Sequence, residues 1–292
     1  MHGRIAIVVN PRSGSAHIGP DLDQALRTAG VAADIHSLPD DRVETWLSDL
    51  ADRYDVLGAM GGDGTVSSVA AAVLATSKVL LVIPAGTLNH FARDSGLPLK
   101  MEDAIALLAS GDTAMVDVGL VNGHMFLNNA SIGAYPRMVR ERTRARQQGW
   151  PRLVASATAI ASTWLRLRNL TCRLRIGDLT IVRRSPLVVV GNGEYEVDGL
   201  SVGRRRAVSD GMLSVYVAPH SGRLDALALP FRVLMRRIER DPTFEVWRGS
   251  TIEMDLRRPV SIALDGEVMT LPGRLQFSVK PRALRVIVPK EG

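Results

Sequence analysis

Cysteine occurs once in the 292 residues, at Cys172. A single thiol excludes an internal disulfide framework and a cysteine-built zinc site, and it suits a reducing compartment. Aromatic residues make up 4% of the chain. That scarcity argues against nucleic acid as a partner, because single-strand binders stack bases on aromatic platforms. Long apolar runs are missing too. A spanning helix needs roughly 18 or more apolar residues in succession, and the nearest approach, 153–165, is short and studded with Ser and Thr. The apolar stretch in M-H-G-R-I-A-I-V-V-N is too short for a signal peptide and reads as a buried first strand. No internal repeat or low-complexity segment is visible. These absences predict a soluble, cytoplasmic protein.

What remains is ordinary globular material, 46% hydrophobic and 23% charged, long for one domain and comfortable for two. The net charge of +6 comes mostly from arginine and favours an anionic partner, such as phosphate groups or an acidic membrane surface. Up to about residue 120, strand-like and helical stretches alternate. Apolar runs at 5–9, 55–60 and 79–83, with a weaker one at 31–36, are separated by helical patterns at 20–30, 42–53, 66–76 and 101–110. That alternation predicts a parallel α/β sheet. An Asn122-Gly123 hairpin between 115–121 and 124–128 marks a change of character. A basic helical stretch follows over 137–168, broken at Gly149 and Pro151. Beyond it the chain reads mostly as short strands, with one helix at about 223–240. The expected division is an α/β domain over 1–125 and a β-rich domain over 126–292, whose last residues could pack back on the first.

Three loops stand at strand ends, where ligands bind in open parallel sheets. Met60-Gly-Gly-Asp-Gly-Thr65 follows the third run and leads into an alanine-rich helix. Its glycines free the backbone to approach a ligand, and the helix N-terminus favours an anion. Asp63 beside phosphates makes sense if Mg²⁺ lies between them; a plain Asp-Gly turn is the alternative. The Walker lysine motif and G-x-G-x-x-G are both absent. Asn10-Pro11-Arg12-Ser13-Gly14-Ser15 and Pro84-Ala85-Gly86-Thr87-Leu88-Asn89-His90-Phe91-Ala92-Arg93 supply the other two loops.

Together, N-P-x-S-G, G-G-D-G-T and P-x-G-T-x-N-x-F-A-R resemble the soluble bacterial diacylglycerol kinase and sphingosine kinase family. The likeness continues through Val116-Asp117-Val118-Gly119, Phe126 to Gly133, Ser209-Asp210-Gly211-Met212-Leu213 and Leu264-Asp265-Gly266-Glu267, and so covers nearly the whole chain. The G-G-D-G-T element alone is shared with NAD kinases. The resemblance implies an NAD kinase/diacylglycerol kinase-like α/β nucleotide-binding domain, then a β-sandwich-like domain across a cleft where lipid enters. It further implies an ATP- and Mg²⁺-dependent kinase acting on the hydroxyl of a lipid alcohol, diacylglycerol-like by preference. Gly61, Gly62, Asp63, Gly64 and Thr65 would then hold the ATP phosphates, with Asn10, Ser13, Gly86, Thr87 and Asn89 beside them. Asp265 and Glu267, with Asp63, become the candidates for the catalytic acid–base work, and Asp117 and Asp210 candidate metal ligands.

Physical chemistry agrees with that assignment, since phosphoryl transfer needs positioning, charge neutralisation and a base. Asp265 and Glu267 would share a face of a straight strand; a hairpin turn around Gly266 is the competing geometry. His90 departs from the family pattern, which has an acid there, and imidazole is the poorer Mg²⁺ ligand. An NAD kinase and a catalytically silent lipid-binding protein remain as alternatives. Between 137 and 152 lie six arginines against one acid, Glu141, with Trp150 near the end. A solvated helix face would account for the run. Arg140, Arg144, Arg146 and Trp150 would otherwise bring the protein to an anionic membrane as a peripheral partner. A second copy of the chain is a further candidate partner.

Overall fold

The computed structural model describes residues 3–13, 19–165, 168–193, 195–198, 201–205, 210–218 and 244–290. The chain divides into two compact units, one of Met1–Val118, Ser201–Asp210 and Lys280–Gly292, the other of Gly119–Leu200 and Gly211–Val279.

The first unit begins with β1 (Ile5–Val9), α1 (Pro20–Ala29), β2 (Asp34–Ser37), α2 (Val43–Arg53), β3 (Val56–Gly61) and α3 (Asp63–Thr76). It continues with β4 (Val79–Pro84), α4 (His90–Asp94), α5 (Met101–Ser110) and most of β5 (Asp112–Val121). The strands run parallel in the order β2-β1-β3-β4. Every residue of β1 and β3 is buried, as a strand covered on both faces requires. Ile5, Ile7 and Val9 meet Leu22 and Leu26 of α1 and Ile105 of α5 in one core layer. Helices α2 and α3 pack on one another, with α3 lying on β3 and β4. Helix α1 carries the expected punctuation, with Pro20 at its start, Asp21 and Asp23 in its first turn and Gly30 at φ 65° closing it.

The remaining elements are β6 (His124–Phe126), β7 (Asn129–Gly133), α6 (Ala134–Gln147), α7 (Arg152–Leu165), β8 (Leu170–Ile176), β9 (Leu179–Ser185) and β10 (Leu187–Asn192). They are followed by β11 (Tyr195–Asp198), β12 (Ser201–Arg205), β13 (Leu213–Val217), β14 (Glu245–Gly249), β15 (Thr251–Leu256), β16 (Val260–Leu264), β17 (Glu267–Leu271) and β18 (Arg274–Val288). In the second unit the first residues of β18 join β15, β8 and β9 in an antiparallel sheet. A second sheet runs β14-β13-β10-β7-β16-β17. Cys172, Leu174, Ile252, Met254 and Phe277 of the one sheet share a core with Ile132, Val188, Val190, Val215 and Ile262 of the other. The unit is therefore a sandwich. Burial alternates along β8, buried Cys172, Leu174 and Ile176 against exposed Thr171, Arg173 and Arg175, the pattern of a sheet wet on one face. The end of β18 belongs to the first unit, where Arg285 and Val286 pair in parallel with Val79 and Leu80.

Several boundaries differ from expectation. The second strand is shorter and later than 31–36, because Val31 to Ala33 serve as the connection out of α1. The basic helical stretch starts at Ala134 and breaks between Gln147 and Arg152, as Gly149 at φ 83° requires. Strands β11 and β12 were not anticipated. The helix expected at about 223–240 lies outside the described residues.

Candidate active site

Loops at three strand ends of the first unit are tied together by side-chain amides that use both of their polar atoms. Asn10, just past β1, accepts the Arg12 N–H at Oδ1 (3.1 Å) and donates from Nδ2 to Thr65 Oγ1 (2.9 Å). Asn89 sits in the left-handed region (φ 50°); its Oδ1 accepts the Gly86 N–H (2.9 Å) and its Nδ2 donates to the Gly86 carbonyl (3.1 Å). The Gly62 N–H donates to Ser13 Oγ (3.3 Å), and the Ala85 N–H to the Gly61 carbonyl (2.9 Å). Gly62 and Gly86 approach so closely that a Cβ on Gly86 would lie 2.5 Å from the Gly62 Cα. Only glycine permits that contact.

Asp63 opens α3, whose N-terminus has no side-chain cap, and its Oδ1 accepts the Phe91 N–H (3.1 Å). The carboxylate thus links the glycine turn to the start of α4. Gly64 is half-buried, Thr65 is buried and Thr87 is exposed at its loop tip. The structure therefore brings Asn10, Ser13, Gly61, Gly62, Asp63, Thr65, Gly86 and Asn89 into one bonded constellation. Gly14 and Ser15 lie outside the described residues. His90 takes the first position of α4, half-buried, beside the Phe91 amide that Asp63 accepts.

The second unit holds the D-G-E segment. Asp265 (φ 48°) and Gly266 (φ 95°) form the two-residue turn between β16 and β17, with Leu264 paired to Glu267. Of the two geometries weighed for this segment, the hairpin turn is the one observed: consecutive left-handed residues are what a tight hairpin demands. The Asp265 carboxylate accepts three backbone N–H groups, from Leu127 (2.7 Å), Asn128 (2.8 Å) and Asn129 (3.1 Å). Both oxygens are engaged, so Asp265 anchors the 127–129 segment. Glu267 is exposed at the start of β17.

Both candidate metal ligands belong to the first unit. Asp117 is buried in β5, and its Oδ1 accepts the Arg282 N–H (2.7 Å), which holds Arg282 at φ 49° within β18. Asp210 is exposed beside Gly211 (φ 69°). Among the described residues no three His, Cys, Asp or Glu side chains come together as a metal site. On α6, Arg140 donates from Nη2 to Ser261 Oγ of β16 and is thus occupied within the unit. Arg144, Arg146 and Trp150 are exposed.

Asn192 went unread in the sequence. It is buried in β10; its Nδ2 donates to the Leu127 carbonyl (3.0 Å) and its N–H to that of Asn128 (2.9 Å). It grips the same segment as Asp265 from the other side. Its only sequence signal was a polar residue ending an apolar run.

Comparison with known proteins fits this geometry. Residues 4–121 match the diacylglycerol kinase catalytic domain family, and residues 135–288 the YegS C-terminal NAD kinase beta sandwich-like domain. A "Probable lipid kinase YegS-like" of Pseudomonas aeruginosa is 32% identical over 248 residues, 82% of this chain and 78% of that protein. A "Diacylglycerol kinase" of Mycobacterium tuberculosis is 28% identical over 313 residues, 99% of this chain and 96% of that one. In fold, the chain resembles the crystal structure of a diacylglycerol kinase from Bacillus anthracis str. Sterne, with TM-score 0.66, 18% identity and coverage of 98% and 96%.

Proposed function

From the premise that this chain belongs to the diacylglycerol kinase-like lipid kinase family, we propose that it transfers the γ-phosphoryl group of ATP to the hydroxyl of a lipid alcohol, diacylglycerol-like by preference. The observation that carries this reading is the bonded constellation of three loops around Asp63. Its residues fit a nucleotide's phosphates: the α3 N-terminus lacks a side-chain cap, and the Gly62–Gly86 approach removes side chains from the backbone around it. They also fit Mg²⁺ bound in its usual way, by one carboxylate, water and the phosphate oxygens, with Asp63 as the carboxylate. The ion's chemistry would be to neutralise phosphate charge.

The chain's own groups then divide the work. Asn10, Ser13 and Asn89 fix the loops so that backbone amides face the phosphates without rearrangement. Glu267 is assigned the base that takes the hydroxyl proton as the oxygen bonds to the γ-phosphorus and ADP departs. Asp265, with three amides on its oxygens, positions the turn that carries Glu267. The test is transfer of label from γ-labelled ATP to diacylglycerol, a sphingoid base, ceramide and other lipid alcohols in mixed micelles, with NAD as control. Phosphorylated lipid and unlabelled NAD are expected; labelled NAD alone would make the chain an NAD kinase, and no transfer at all a silent member of the family.

A further inference from the structure

Helices α6 and α7 form a hairpin in the second unit whose tip is tightly built. Gly149 (φ 83°) donates its N–H to the Arg146 carbonyl, and the Trp150 N–H donates to that of Ala145, both 3.0 Å. This is the Schellman arrangement, which fixes the residue after the glycine over the last helical turn. Trp150 is that residue, and it is 42% exposed. Arg144 and Arg146 project from the same turn; Arg144 is weakly tied to Glu141 at 3.9 Å and 71% exposed.

Helix α7 is unusual for its exposed side. Val154, Ala157, Thr158 and Ala161 are all exposed and recur at the spacing of one helix face. None is charged, and from Leu153 to Leu165 there is no charged residue at all. The one hydroxyl in the stripe, Thr158 Oγ1, donates back to the Val154 carbonyl at 2.9 Å. A solvated helix face carries charge; this one carries methyl groups beside a cationic turn and a presented indole.

We infer that the α6–α7 hairpin is a docking surface for an anionic lipid bilayer, with Trp150 and the Val154–Ala161 stripe at headgroup depth and Arg144 and Arg146 on lipid phosphates. Arg140, exposed on the same helix, also donates from Nη2 to Ser261. Charge selects the occupant. A second copy would set Arg144 and Arg146 against their own counterparts, whereas an anionic surface attracts each of them and accepts an uncharged face and an interfacial tryptophan. The inference rests on the kinase reading only in that a lipid substrate resides in such a surface.

The experiment is co-sedimentation of the full chain with vesicles of phosphatidylcholine alone or mixed with phosphatidylglycerol, at low and physiological salt. Binding should require phosphatidylglycerol and weaken with salt, as a Debye length of about 8 Å at physiological ionic strength dictates. The double reversal Arg144→Glu with Arg146→Glu, and separately Ala157→Asp, should lower partitioning by at least about tenfold. Both should leave phosphorylation of a short-chain, water-soluble lipid alcohol unchanged, which also reports correct folding. Binding that ignores phosphatidylglycerol, or that survives both variants, overturns the inference. So does a dimer in ultracentrifugation that the variants dissociate while vesicle binding stays the same. Failure of the short-chain assay in the unaltered protein would instead strike the kinase reading.

Discussion

Asp265 and Glu267 stand two apart, yet their surroundings differ, one tied to three backbone amides and the other exposed. Asp265 accepts three backbone N–H groups, and hydrogen bonds to a charged group contribute about 1.5–3 kcal/mol each. Asp265→Asn keeps the left-handed turn but turns an N–H donor toward amide donors. It should destabilise the protein by about 1–3 kcal/mol, seen as a lower midpoint in thermal or urea unfolding. Glu267→Gln should leave that midpoint in place and lower kcat by ~10²–10⁴-fold, the range of a lost general base. An unfolding shift in Glu267→Gln with unchanged kcat would exchange the two roles. Gly86→Ala places a methyl against the Gly62 backbone. The loops must then part by a fraction of an ångström or more, and misplacement of that order can lower turnover by about a hundredfold. Cys172 is fully buried, and burial raises its thiol pKa. Above the ordinary thiol pKa the unfolded chain sheds a proton that the folded chain keeps. Stability is therefore undiminished below that value and falls as pH rises through the raised one. A thiol reagent at mildly alkaline pH should label Cys172 only on unfolding; rapid labelling of native protein would contradict its burial.

The elements were legible where punctuation was strong. Pro20 and Gly30 bracket α1, Asn122-Gly123 makes the β5–β6 turn with both residues at positive φ, and Gly149 separates α6 from α7. The bonds of Asp265, Asn192 and Asp117 were not legible, because their partners are backbone amides and carbonyls far away in sequence. A motif tells which residue is present but not which amide it meets. The same limit hid the contact between β9 and β14, edge strands of the two sheets in the sandwich. There the Arg183 guanidinium donates to both oxygens of Glu245 at 2.8–3.0 Å, with the Trp247 ring 5.6 Å away. The carboxylate beside it raises the Arg183 pKa further. Both side chains are more than a third exposed. A double-mutant cycle with Arg183→Ala and Glu245→Ala should therefore give a coupling of no more than about 1 kcal/mol, declining with salt; a larger, salt-insensitive value would mean that the pair is effectively desolvated.

For the molecule as a whole, sequence periodicity separated a parallel α/β half from a β-rich half because the two bury their strands differently. In the first unit β1 is apolar throughout, while in the second β8 alternates. Periodicity could not show that β18 serves both, pairing with β15 near its start and with β4 near its end, since each pairing joins segments far apart in sequence. Three loop motifs were read as a phosphate site, and in the structure hydrogen bonds of Asn10, Ser13 and Asn89 tie those loops down. On the proposed reading this constellation presents ATP for transfer to a lipid hydroxyl. Its most direct test is single-turnover transfer from γ-labelled ATP to short-chain diacylglycerol, with ATP affinity measured on the same samples, in the unaltered protein, Asp63→Asn and Glu267→Gln. The account predicts labelled lipid from the unaltered protein. It predicts Glu267→Gln to bind ATP normally yet transfer at least about a hundredfold more slowly, and folded Asp63→Asn to lose most transfer. Unimpaired transfer in a folded Asp63→Asn protein would contradict it.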